Sequence, residues 1–168
     1  MSEATKIASA TIPHSELYER DYYTWAQEQA RALRERRIEE IDWINLAEEI
    51  EGLARSEKHA LQSRIARLLE HLLKLAYARE RMLESNARGW QLSARNARDA
   101  VRQLLDENPG LQSQLENIFI RAYRSARNGT LRVLRLPDSA IPEASSWTLE
   151  QTIDEKFFPR PRERAADE

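Results

Sequence analysis

Cysteine is absent from the 168 residues, which removes thiol nucleophiles, thiolate metal sites and disulfide staples at once. Glycine occurs four times and proline six, too few for the closely spaced turns of an all-β sandwich. Long apolar runs are also missing. The best, residues 61–78, is interrupted by Arg64, Arg67, Glu70, His71 and Lys74, whereas a spanning helix needs about 20 predominantly apolar residues. Residues 1–13 hold one lysine and no run of signal-peptide length, so neither secretion nor a membrane is expected. The expectation is a soluble, cytoplasmic protein.

Motifs that carry common chemistries are missing too. No G-x-G-x-x-G or G-x-x-x-x-G-K-[ST] is present to cradle a phosphate, and no G-x-S-x-G to expose a serine nucleophile. The three histidines are His14, His59 and His71, and Ser56 and Leu68 stand three before the last two. The Glu-x-x-His spacing of a helical di-iron site therefore fails. H-E-x-x-H is absent as well. No metal and no cofactor is expected.

What remains is a mixture of 41% apolar and 32% charged residues, ordinary for one folded domain of this length. We expect that domain over 15–159, between an N-terminal arm (1–14) and a polar C-terminal tail (160–168). The formal charge of −2 hides a polarity. Residues 1–51 carry a net −6, residues 52–135 a net +8 and residues 136–168 a net −4. Lysine contributes only four of the 26 basic groups.

Apolar residues recur at helical rather than strand spacing. Tyr18, Tyr22, Trp25, Ala26, Gln29 and Leu33 predict a first helix over about Leu17–Arg36. Asp42 reads as the N-cap of a long helix from Trp43 to about Tyr77, with Gly52 its expected kink. Such a helix would be about 50 Å long. Trp90, Ala94, Ala97, Val101 and Leu104 mark a third helix over about Asn86–Leu105. Asn108-Pro109 reads as a cap and first-turn proline opening a fourth, with Leu111, Leu115, Ile118, Ala122 and Ala126 on its apolar side. That helix ends at Gly129-Thr130 or runs on to about Leu134. Residues 136–146 read as loop. Thr148-x-x-Gln151 resembles a capping box for a short last helix ending near residues 157–159. The fold expected is all-α: a bundle of four main helices, one of them long and central, with a short C-terminal helix.

Three constellations could carry function. Glu57, Arg64 and His71 stand seven apart on the long helix, so they drift only about 20° per step along the leucine seam. They read as structural ion pairing or as the edge of the seam facing water. The sharper reading is a titratable cluster, with His71 as proton donor or ligand and Glu57 as base. Arg88, Arg95, Arg98 and Arg102 share an arc of about 80° on the third helix. They read first as a solvated face or as partners for acids such as Glu48, Glu49 and Glu51, and second as an anion-binding surface extended by Arg121 and Arg124. Tyr18, Tyr22, Tyr23, Trp25 and Trp43 read as core, with Tyr23 or Trp43 as the candidates for a partner contact.

Taken in order, several of these residues follow one family's pattern. Asp21-Tyr22-Tyr23-x-Trp25, Gln29-Ala30, Asp42-Trp43-x-Asn45-Leu46-x-Glu48-Glu49-Ile50-Glu51 and Ser56-Glu57 are followed by His71-Leu72-Leu73-Lys74, Trp90, Pro109, Ala122-Tyr123, Leu136-Pro137, Pro142 and Glu150-Gln151 with Asp154. Over about residues 17–159 the chain resembles a bacterial family known as domain of unknown function 29. It departs at Gly52 and Ala54, where the family has Ser then Gly around Leu53, and at Ala78-Arg79-Glu80, where it carries Gln-Pro-Glu. The resemblance implies a helical fold and a bacterial source. It lends no activity and no catalytic residue, but Glu57, His71 and Lys74 occupy positions its pattern specifies. The function expected is a non-enzymatic protein–protein interaction module that self-associates. The alternative is nucleic-acid binding through the Arg-rich helix face.

Overall fold

Asp21 divides the first expected helix in two. In the computed structural model, which describes residues 14–162 (side chains from residue 16), α1 spans His14–Arg20 and α2 spans Tyr22–Glu35. The Asp21 carboxylate accepts from the Thr24 backbone N–H at 3.1 Å and from its hydroxyl at 2.5 Å. A cap in the middle of an amphipathic pattern starts a new helix without disturbing the apolar spacing. The arm expected over 1–14 lies outside the described residues except for His14, and so does the expected tail beyond residue 162. All regular structure among the described residues is helical.

The chain divides into two compact units between Arg55 and Ser56. In the first, α2 closes at Arg36, which adopts the left-handed conformation with φ 57°, and a short 3-10 turn covers Ile38–Glu40. Asp42 then caps α3, Trp43–Tyr77. Its carboxylate accepts from the Asn45 backbone N–H at 3.4 Å and the Asn45 amide at 2.7 Å. The same group accepts from the Trp25 indole at 3.3 Å, while the Asp42 backbone N–H donates to Gln29 at 2.8 Å. Helix α3 continues through Gly52 without a break, because one glycine weakens a helix by only about 1 kcal/mol.

The second unit holds the rest of α3, α4 (Glu80–Glu107), α5 (Leu115–Leu134) and α6 (Leu149–Ile153). Leu61, Ile65, Leu69 and Leu73 of α3 are buried with Val101 and Leu104 of α4 and Ile118, Ala122 and Ala126 of α5. Leu68 and Leu72 belong to a second cluster with Ala94 and Ala97, against which Phe157 and Phe158 pack. Here α3 is apolar on two sides, as a helix central to a bundle must be.

Two boundaries differ from the sequence reading. Asn108 closes α4, its backbone N–H and side-chain amide both donating to the Leu104 carbonyl, and it is also the N-cap of the next helical stretch, with Pro109 in its first turn as expected. Pro109 then begins a 3-10 stretch to Gln114, and α5 starts only at Leu115. The Ser113 hydroxyl donates to the Gly110 carbonyl at 3.2 Å, a local bond that competes with regular helix. Helix α5 runs through Gly129-Thr130 to Leu134 and closes on Arg135 in the left-handed conformation.

The last helix has the expected capping box at Thr148 and Gln151, but it stops at Ile153. The carbonyl of Thr152, in its last turn, and those of Glu155 and Phe157 beyond it accept from Arg98. A side chain thus supplies partners that helical amides would otherwise have given, and the backbone extends. The 136–146 segment contains one 3-10 turn, Asp138–Ala140. Arg127 holds this segment by donating to the carbonyls of Asp138, Ile141 and Pro142 and to the Asp138 carboxylate.

Candidate functional site

Helix α3 carries the polar string, and helical geometry keeps its members apart. Glu57 and His71 are fourteen residues apart on one unbroken helix, or about 21 Å along its axis. Each member has its own environment. Glu57 is exposed and accepts from the Asn108 amide at 3.4 Å. Arg64 donates to the Ala100 carbonyl on α4 at 3.1 Å. His71 is half-buried, and its Nδ1 is shut from solvent with no hydrogen-bond partner. The fold therefore makes no Glu57–His71 acid–base pair.

His71 does have charged neighbours. It lines a groove of about 500 Å³ with Ser63, Arg67, Glu70 and Lys74 of α3 and Ser125 of α5. Lys74 donates to Glu70 at 2.5 Å, one helical turn back. Burial lowers the imidazole pKa below its ordinary value; the Lys74 and Arg67 cations lower it further, against a smaller opposing effect of Glu70. The shift favours the neutral ring. Sequence reading looked for partners of His71 seven residues away along the seam, but they lie three and four residues away. The signal was the i, i+4 pairing of Arg67 with His71 and of Glu70 with Lys74.

The Arg face of α4 is largely committed. Arg98 is fully buried, with its guanidinium bonded to the carbonyls of Thr152, Glu155 and Phe157 and 4.7 Å from the Phe158 ring centroid. Arg102 donates to the Ile153 carbonyl and the Glu155 carboxylate, each at 2.7 Å. Arg95 is exposed and stacks over Phe158 at 5.6 Å, while Arg88 is exposed on the same helix. Of the four candidate anion-binding residues, Arg98 and Arg102 thus fix the C-terminal segment. The acids expected opposite them, Glu48, Glu49 and Glu51, are replaced in that role by Glu155 and backbone carbonyls. Phe157-Phe158 was the visible half of this arrangement, and nothing in the spacing tied it to Arg98.

The aromatic start forms a cluster of its own. Tyr18 packs edge-on to Trp25 at 4.8 Å and to Tyr22 at 5.9 Å. Both tyrosine hydroxyls donate to Glu49, at 2.7 and 2.9 Å. The carboxylate is held below its ordinary range by these bonds, and Tyr18 is pushed up to about 12. Tyr23 and Trp43 stand outside the cluster, 74% and 57% exposed.

Trp43 begins an exposed stripe. Together with Leu46, Ile50 and Leu53 it lies within an arc of about 80° on α3. Ile50 is 59% exposed and Leu53 69%. Leu61, Leu68 and Leu75 continue the same arc, and all three are buried. Among the described residues no group of three or more His, Cys, Asp or Glu could hold a metal ion, and no helix is long and apolar enough to cross a membrane.

Residues 17–158 match the model of the family described as domain of unknown function DUF29. No curated protein and no solved structure matches the chain.

Proposed function

Because the chain belongs to the DUF29 family, whose description assigns no activity, we propose from its own side chains that it is a protein–protein interaction module that self-associates through the first turns of α3. The supporting observation is the exposed stripe of Trp43, Ile50 and Leu53 on a helix whose continuation buries the same arc. Single exposed apolar residues are normal on a soluble protein, but a stripe of them at seam spacing suits a second helix. The lack of a Glu57–His71 pair favours a binding role over catalysis. The nucleic-acid reading loses Arg98 and Arg102 to the chain's own carbonyls and keeps only Arg88 and Arg95 of its ridge.

Sedimentation equilibrium of the full chain over a wide concentration range tests the reading, with the double variant Ile50→Glu, Leu53→Glu beside it. The expected result is a reversible dimer or higher species for the natural sequence and a folded monomer for the variant. A natural protein that stays monomeric throughout overturns self-association. Association that persists unchanged in the variant removes the stripe as its surface.

A further inference from the structure

The His71 groove is independent of the stripe, and its chemistry points to a small molecule. We propose that the groove between α3 and α5 binds a tetrahedral oxyanion of the phosphate type, held by the His71 ring N–H, the Arg67 guanidinium, the Lys74 ammonium and the Ser125 hydroxyl. All four groups line one hollow. Arg67, His71 and Lys74 follow i, i+4, i+7 spacing, so one helix face presents them together.

The state of the imidazole sets what it can do. Nδ1 is closed off from solvent and has no acceptor, and orphaned buried N–H groups are rarer than under-satisfied acceptors. The neutral ring therefore keeps its proton on Nε2, as a donor for the groove. A second proton would place an unpartnered N–H at Nδ1 beside two cations, so the site presents a neutral donor flanked by positive charge. That agrees with the downward shift caused by burial, Lys74 and Arg67.

The charge balance favours an anion. Arg67 and Lys74 face one carboxylate, Glu70. Lys74 gives that carboxylate one bond, and an ammonium has three donors. Arg67 is exposed, and its five donors have no partner among the described residues. From α5 the hollow takes Ser125 and Ala126, and no carboxylate other than Glu70 lines it. A phosphate oxyanion can accept from several such donors at once, whereas a carboxylate offers two oxygens. The hollow, about 500 Å³, is within the range of small-ligand sites, so it has room for an organic remainder as well as the anion.

The test uses the full chain and follows the His71 imidazole resonances by NMR, with phosphorus line broadening of the ligand as the readout for every variant, including those that lack His71. Inorganic phosphate is titrated against chloride at matched ionic strength, with a phosphomonoester such as glycerol phosphate as a second arm. A saturable His71 shift with phosphate and none with chloride is expected, together with an upward move of the His71 titration midpoint, since binding and protonation are linked. Arg67→Ser and His71→Phe should each weaken binding about tenfold, the effect of one charge-assisted hydrogen bond. His71→Gln, which keeps an N–H donor, should lose less. Arg67 is exposed, so its variant reports on binding even if His71→Phe fails to fold. Tighter binding of the monoester supports a phosphorylated metabolite, and equal binding supports the free ion. Absence of a saturable shift, the same shift in chloride, or unchanged affinity in Arg67→Ser overturns the proposal.

Discussion

The two units differ in what holds them. Of the 23 buried apolar side chains among the described residues, only Trp25, Ala32 and Ile41 belong to the first unit. Of the eleven large apolar side chains left exposed, eight belong to it: Tyr22, Tyr23, Leu33, Ile38, Trp43, Ile44, Ile50 and Leu53. Polar groups carry more of the first unit's organisation. Asp42 joins Trp25, Gln29 and Asn45, and Glu49 joins Tyr18 and Tyr22. The second unit relies on leucine packing around α3 and on two buried arginines that hold irregular backbone. The contrast exists within one helix, because Leu53 and Leu61 stand eight residues apart with 69% and 0% exposure. Hydrophobic spacing identifies a face that needs cover; it does not say whether the cover is in the same chain.

Truncating one leucine in each half of α3 separates the covered half from the uncovered one. Leu69→Ala, in the full core, should cost about 2–5 kcal/mol in urea unfolding. Leu53→Ala should change stability by less than about 0.5 kcal/mol in dilute monomer. Equal costs would mean that Leu53 is covered in solution even by the lone chain. Next in size is Arg98→Met, which fits the site's volume but strands the carbonyls of Thr152, Glu155 and Phe157. We expect a loss of about 2–4 kcal/mol, and faster amide exchange or proteolysis beyond Ile153 before the bundle itself opens. Asp42→Ala removes the cap of α3 and the acceptor of Trp25 and should cost about 1–2 kcal/mol. Indole fluorescence should report that loss in the first unit while the second stays protected from exchange.

The smallest effect concerns pH. The folded His71 pKa lies below its ordinary 6.5 because of burial and the neighbouring cations. The unfolded chain therefore takes up a proton first as pH falls. Its contribution to stability is complete above about 6.5, declines as pH drops through that value, and levels off below the folded pKa. One proton can contribute at most about 1.4 kcal/mol per pH unit. Comparing urea midpoints on either side of pH 6.5 for the natural sequence and His71→Gln isolates this effect from His14 and His59. A pH dependence identical in both would show that His71 titrates normally.

Much of the helical content was legible from spacing and caps. Asp42 as the start of α3, Tyr77 as its end and the capping box at Thr148 follow from local chemistry, and the structure has all three. The split at Asp21 was less visible, because its cap interrupts the backbone without interrupting the apolar period. Asn108-Pro109 showed only half of its role. The dipeptide begins a helical stretch, first of the 3-10 kind, and Asn108 also ends the helix before it by bonding the Leu104 carbonyl. The candidate site was legible only in part. His71 stood out as a histidine on an apolar helix, and Arg67, Glu70 and Lys74 stand beside it by helix spacing, but Ser125 became its neighbour only when α5 packed beside α3. Arg98 looked like a member of a charged face, and its burial depends on a segment more than fifty residues away.

Local chemistry along the chain suffices to make this protein helical, to begin and end its long helix, and to place the apolar stripe of that helix. Those properties depend on residues within a turn or two of one another, whose spacing and caps act before anything distant is in place. Packing decides that the stripe is buried from Leu61 onward and exposed before it, that Arg98 and Arg127 turn inward to bond carbonyls, and that His71 shares a groove with Ser125 of α5. Each of these needs a partner brought near by packing, and a long polar side chain goes into a core only where that partner can satisfy it.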